Sequence, residues 1–115
     1  MNNTRSCTAL IAEDEPLLAQ ALQAELARAW PALQVLASVG DGAAAVAQAL
    51  RLKPDVLFFD ISMPGMSGLE AAATLADEWL REGPGATPFP ALVFVTAYDR
   101  DCVKTLMDLF SFCGP

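Results

Sequence analysis

The sequence predicts an α/β domain built on a doubly wound parallel sheet. Short apolar runs of strand length alternate with amphipathic stretches of helix length, and prolines and glycines punctuate the boundaries. One run, "DVLFF" (55–59), is apolar without alternation. Strand and helix alternating in units of this size imply crossover helices and therefore a parallel sheet covered on both sides. A strand that is apolar on both faces belongs in such a sheet.

The elements follow in order. "CTALIA" (7–12) is a short buried strand that runs into Glu13, Asp14 and Glu15. "PLLAQALQAELARAW" (16–30) is a helix: Pro16 suits the first turn, where its missing N–H costs nothing, Leu18, Leu22 and Leu26 share one face, and Pro31 stops it. "LQVLASV" (33–39) is the second strand. "GDG" (40–42) turns the chain and places Asp41 to cap "AAAVAQALRLK" (43–53), a helix ended by Pro54. "DVLFF" is the third strand and delivers Asp60 at its end, before a turn rich in Pro and Gly. "LEAAATLADEWLREG" (69–83) is a third helix and "PGATPFP" (84–90) a proline-rich loop. "ALVFVTAY" (91–98) is a fourth strand and "DRDCVKTLMDLF" (99–110) a candidate fourth helix.

Composition removes several function classes. A chain of 115 residues fits one domain, and a hydrophobic content of 54% excludes disorder. Fourteen acids against seven Lys and Arg give a net charge of -7, which opposes a general electrostatic grip on nucleic acid or anionic membrane. Histidine is absent, so Ser-His-Asp and Cys-His catalysis and most catalytic zinc sites are excluded. Cys7, Cys102 and Cys113 lack CxxC spacing and are expected as reduced thiols of a cytoplasmic protein, with Cys7 in the core. "MNNTRSC" has no apolar leader core. The longest uncharged stretch, Gly83 to Tyr98, is broken by Pro84, Pro88 and Pro90 and is short for a membrane span.

In a parallel α/β sheet, ligands gather at the carboxyl ends of the strands, beside the switch in strand order. Glu13 and Asp14 follow the first strand, Asp60 ends the third and Thr96 lies near the end of the fourth. If these strands are neighbours, all four residues meet at one edge. Each also has a plainer reading. Glu13, Asp14 and Glu15 suit the positive end of the helix at Pro16, and Thr is an ordinary strand residue. Asp60 has no helix to cap. Carboxylates converging without a cationic partner repel one another, and a hard divalent cation such as Mg²⁺ resolves the repulsion. With the cation bound, Asp60 is a candidate nucleophile towards phosphorus, and the Thr96 hydroxyl a hydrogen-bond donor to phosphoryl oxygens.

"IAEDEP", "DVLFFDISMPGMSGLE" and "FVTAYDR" together resemble the receiver domain of two-component response regulators, over about Leu10 to Arg100. The resemblance implies a flavodoxin-like sheet of strand order 2-1-3-4-5. It makes Asp60 the phosphoacceptor and Asp14 a direct Mg²⁺ ligand, with Glu13 acting through metal-bound water and the Ser62 backbone carbonyl completing the protein ligands. Thr96 becomes the switch hydroxyl, with Ala97 leaving it room, while Pro64, Gly65 and Gly68 shape the loop beyond the acceptor. "TAYDR" is similar to receivers joined to LytTR-type DNA-binding domains. The departure is at the end of the chain, "DLFSFCGP", where the family has a fifth strand with an aromatic switch residue, a Lys-Pro and a fifth helix. Lys104 falls too early to match that lysine. The expected organisation is a receiver core over 7–100 and an atypical segment over 101–115, with the fifth strand and fifth helix missing or degenerate.

The resemblance implies a regulatory phosphoacceptor, not an enzyme. It takes phosphoryl from a sensor histidine kinase and controls an output domain, DNA-binding in the reading above. A pseudo-receiver that only binds other proteins is the alternative, and a small aspartate-nucleophile phosphatase a weaker one, since no further water-activating acid or cap is evident. An uncovered fourth strand would expose an apolar edge, so a homodimer or swapped assembly is expected.

Overall fold

A computed structural model describes residues 7–79 and 82–95 of the chain. Thr96, the end of the expected fourth strand, the expected helix over 99–110 and the segment 101–115 lie outside the described residues. Within them the order is β1 (Thr8–Ala12), α1 (Pro16–Ala29), β2 (Gln34–Val39), α2 (Gly42–Leu52), β3 (Val56–Phe59), α3 (Gly68–Glu78) and β4 (Ala91–Phe94). The strands form one sheet in the order β2-β1-β3-β4, every pair parallel, as expected.

Alternation along the strands sorts the core into two layers. Ala9, Ile11, Val56, Phe58 and Val93 point to the α1 side, where they meet Leu22, Leu26 and Trp30. Leu10, Ala12, Leu57 and Phe59 point to the other side and pack on Ala45, Val46 and Ala49 of α2 and Ala71 and Leu75 of α3. Both faces of β3 are covered, so Val56, Leu57, Phe58 and Phe59 are all 0% exposed. That is why "DVLFF" does not alternate. Each such side chain contributes about 1.5–3 kcal/mol by leaving water.

The ends of the elements have identifiable causes. Pro16 is the first residue of α1 and Asp41 caps α2, its carboxylate accepting the Ala44 N–H at 2.7 Å. The Ser67 hydroxyl accepts from Glu70 N–H while the Glu70 carboxylate accepts from Ser67 N–H, a reciprocal cap that starts α3. β3 begins at Val56 because Asp55 is engaged: its carboxylate accepts from the N–H and hydroxyl of Thr8, at 2.8 and 3.1 Å.

Two expectations are corrected. Leu18 does not join Leu22 and Leu26 in the core; it is 41% exposed, because the first turn of α1 rises past the carboxyl edge of the sheet. α3 ends at Glu78, short of residue 83, because Trp79 is recruited sideways. Its indole N–H donates to the Thr87 carbonyl at 2.9 Å, its ring meets Phe89 edge-on at 5.5 Å, and the Lys53 ammonium lies 4.4 Å above it. Lys53 reaches that position from the left-handed cap of α2, at φ 51°. Cys7 is in the core, as expected.

Among the described residues, no helix is long and apolar enough to cross a membrane.

Candidate functional site

Register brings the acids together. Ala12 is opposite Phe59 in the β1–β3 ladder, so the residues that follow leave the sheet side by side. The ladder extends one step past the strands: Asp60 N–H donates to the Ala12 carbonyl at 2.8 Å and Glu13 N–H to the Val39 carbonyl at 2.9 Å. The main chain of both acids is therefore fixed by the sheet, not by a loop. Carboxylate oxygens of Glu13, Asp14 and Asp60 lie within 4.8 Å of one another. Glu13 and Asp60 are half-buried and Asp14 is exposed. The fourth expected member, Thr96, lies outside the described residues, so its position in the site is not described.

Helix capping does not account for these acids. Glu15 is the N-cap residue of α1, yet its side chain makes no cap hydrogen bond. Glu13 instead accepts the Glu15 N–H at 3.0 Å, ahead of the helix. The cations among the described residues are engaged elsewhere: Arg28 with Glu25 at 2.8 Å, Arg51 with Gln48 at 3.0 Å, and Lys53 over Trp79. The cluster thus has no counter-charge among the described residues. The Glu13 carboxyl responds by holding its proton, its pKa raised from 4.5 to about 7. Burial is the largest cause, the Glu15 N–H opposes it, and the Asp60 charge and hydrogen bonds to Asp60 and Asp14 add to it.

The donor set fits Mg²⁺. Oxygen ligands at about 2.0–2.1 Å stand at most about 4.2 Å apart, so a cluster of this spread accepts direct contact by some of its acids and contact through water by another. Hard carboxylates open to solvent on the Asp14 side suit an ion that keeps part of its water shell.

The loop beyond Asp60 is held at several points. Ser62, exposed, presents its N–H 3.4 Å from Asp60 Oδ1, a long contact. Gly65 turns the chain at φ 74°, a left-handed conformation that glycine adopts without strain. Gly68 N–H donates to the Ile61 carbonyl at 2.8 Å, and a Cβ at Gly68 would stand 2.2 Å from the Asp60 carbonyl oxygen. Gly68 therefore does more than form a turn: α3 starts against the main chain of Asp60. Sequence reasoning singled out neither this approach nor a second one, in which a Cβ at Gly42 would stand 2.3 Å from the Met66 carbonyl oxygen.

Comparison with known proteins identifies the family. Residues 9–109 match the response regulator receiver domain. An uncharacterized response regulatory protein of Vibrio cholerae is 42% identical over 104 residues, covering 90% of this chain and 36% of the relative. The transcriptional regulatory protein BtsR of Salmonella typhi is 34% identical over 95 residues, 83% of this chain and 36% of that protein. The chain thus spans about a third of the length of these curated relatives. The response regulator domain of Thermotoga maritima CheB superposes with a TM-score of 0.72 at 24% identity, covering 95% of this chain and 96% of that one, and so shares the fold. With its acids at the switch point of a 2-1-3-4 sheet and the family match running almost end to end, the chain belongs to the response regulator receiver domains.

Proposed function

We propose that this chain is a phosphoryl-accepting receiver in which Asp60 is the acceptor and Glu13, Asp14 and the Ser62 carbonyl hold Mg²⁺ beside it. The observation that carries the reading is the cluster of Glu13, Asp14 and Asp60, in which the strand ladder fixes the main chain of Glu13 and Asp60 and which lacks a counter-charge among the described residues. Receiver domains in general are regulatory modules that work with sensor histidine kinases and bind Mg²⁺ at an acidic pocket.

In the proposed step an Asp60 carboxylate oxygen attacks the phosphorus of a phosphohistidine. The phosphorus–nitrogen bond breaks, imidazole leaves, and an aspartyl-phosphate remains. The ladder bond from Asp60 N–H to the Ala12 carbonyl fixes the main chain that carries the nucleophile, which limits the reorganisation needed for attack. Glu13 must give up its proton before it can serve the cation. When bound, Mg²⁺ offsets the charge of the acids and of the incoming phosphoryl oxygens. Thr96 is proposed as the hydroxyl that afterwards turns to the phosphoryl group, carrying the change to an output domain. Since the relatives are about three times longer than the matched segment, that output domain belongs to the remainder of such a protein, and DNA binding is our reading of it. We place the receiver core at 7–100 and the atypical segment at 101–115, in a cytoplasmic protein. At a net charge of -7 this segment makes no direct contact with nucleic acid or membrane. A pseudo-receiver that only binds other proteins is the second reading, separated from the first by the experiment below.

Incubation with Mg²⁺ and acetyl phosphate, followed by intact mass spectrometry, tests this. One phosphoryl group labile to hydroxylamine is expected, absent in Asp60→Asn and absent when the metal is chelated. An adduct that survives Asp60→Asn refutes the assignment, and no adduct on the wild type favours the pseudo-receiver.

A further inference from the structure

We propose that the first turn of α2 is a positioning element of the phosphoacceptor site, acting through Gly42 on the loop that follows Asp60. This rests on the Mg²⁺-binding reading above. Gly42 is buried at the first position of α2, and a Cβ there would stand 2.3 Å from the Met66 carbonyl oxygen, 2.7 Å from Met66 Cβ and 2.9 Å from the Met66 carbonyl carbon. The nearest atom is main chain, so no rotamer change relieves the collision. The helix therefore seats the loop backbone directly, with the Met66 side chain packed over the core layer formed by Leu10, Ala45 and Val46.

The consequence follows from where the loop is tied. Its first end is closed by the bond from Gly68 N–H to the Ile61 carbonyl, and its second by the Ser67–Glu70 cap. Met66 against Gly42 is a third tie, immediately after the left-handed turn at Gly65. Only Ser62 to Gly65 remain between the ties, largely exposed, and Ser62 carries the proposed carbonyl ligand. A methyl at position 42 must drive Met66 outward by about 1 Å to restore ordinary contact, and the closed loop passes that shift into residues 62–65. Mg²⁺ tolerates such a shift poorly, because it requires near-ideal octahedral geometry. Helix propensity works in the opposite direction, since Ala is the better helix former and Gly42 is not among the residues with positive φ. Weakened metal binding would thus come from the loop, not from a failing helix.

Gly40 supplies the contrast. It lies nearer the acids along the chain, yet a Cβ there would meet Asp14 Cα at 3.8 Å and the Glu13 carbonyl oxygen at 4.0 Å, which are ordinary contacts. Calorimetric titration with Mg²⁺, alongside thermal melting of the chelated protein, separates the cases. Gly42→Ala should weaken Mg²⁺ binding about ten-fold or more, in line with the losses seen when groups that orient metal ligands are removed. Its chelated melting temperature falls to the extent that displacing Met66 costs more than the helix gains, so binding is compared at a temperature where both proteins are folded, and Gly40→Ala should bind as wild type does. Met66→Gly removes the Cβ that faces position 42 and so loosens the contact from the loop side without adding atoms; it should weaken binding in the same direction, and it decides the matter if Gly42→Ala does not fold. Wild-type affinity in folded Gly42→Ala, or in Met66→Gly when the former is unfolded, overturns the proposal while leaving the site intact. A wild-type protein that binds no Mg²⁺ overturns the underlying reading as well.

Discussion

Replacing Asp60 with Asn should stabilise the metal-free protein. Carboxylate oxygens of Asp60, Glu13 and Asp14 lie within 4.8 Å of one another without a counter-charge among the described residues. Two unit charges at that separation repel by about 0.9 kcal/mol in water and about 3.5 kcal/mol at an effective dielectric of about 20. Asp14 is exposed and the other two are half-buried, so solvent screening favours the lower figure, about 1 kcal/mol per pair. Asp60 forms two such pairs, and at about pH 8, where Glu13 is mostly ionised, the relief is about 2 kcal/mol. At about 4 °C per kcal/mol for a domain of this size, the melting temperature rises by roughly 8 °C. At about pH 5.5 Glu13 keeps its proton, one pair is already silent, and the gain falls to about half. Added Mg²⁺ should raise the wild-type melt and narrow the difference, because binding stabilises the folded state by mass action and the variant binds more weakly. Scanning calorimetry in chelator and in Mg²⁺, at both pH values, measures all of this. A chelated variant that melts below wild type at about pH 8, or that gains as much from Mg²⁺, would refute the picture of uncompensated charge.

Further outcomes follow from the same geometry. Because the folded pKa of Glu13 is about 7 against 4.5 unperturbed, its proton stabilises the metal-free fold below about 4.5, and that contribution is lost as pH rises through about 7. Mg²⁺ binding needs the ionised form, so affinity should climb between about pH 5.5 and 8, with release of up to one proton at the acid end. Titration in two buffers of different ionisation enthalpy detects that proton, and buffer-independent heats at about pH 6 would contradict it. Asp14→Asn should weaken Mg²⁺ binding about ten-fold or more and Glu13→Gln less, if the first contacts the ion directly and the second through water; equal or reversed losses exchange or cancel the roles. β4 pairs only with β3 among the described residues, and "ALVF" has no lysine or proline to protect an edge. Light scattering is expected to show a dimer or larger assembly at high concentration, and a monomer with strongly protected amides over 91–94 would mean the edge is covered within one chain.

The strands and the meeting of Glu13, Asp14 and Asp60 were legible in the sequence because they depend on local signals. Apolar runs mark strands, and the acids follow strands whose parallel register fixes where they emerge. The strand order itself came from the family resemblance. Trp79 shows where local signals stop: "LEAAATLADEWLREG" keeps helical periodicity to its end, but the indole leaves the helix for Thr87 and Phe89 in the following loop and for Lys53 at the end of α2. Gly42 and Gly68 were read as turn and loop glycines, because a close approach between two main chains leaves no pattern around either residue. The raised pKa of Glu13 also depends on burial and on Asp60, far away in sequence.

Trp30 and Trp79 both stand at the carboxyl ends of helices and are 5% exposed. They therefore sit at the amino edge of the sheet, away from Asp60 by about five strand residues, roughly 16 Å at about 3.3 Å per residue. Indole emission from this protein is thus a reporter of unfolding that stays silent when the acids gain or lose an ion. Fluorescence-detected melts can be run across metal concentrations without a binding signal mixed into the baseline. A site variant whose emission at rest differs from wild type has disturbed the far edge of the sheet as well, and its loss of metal or phosphoryl cannot be assigned to the acids alone.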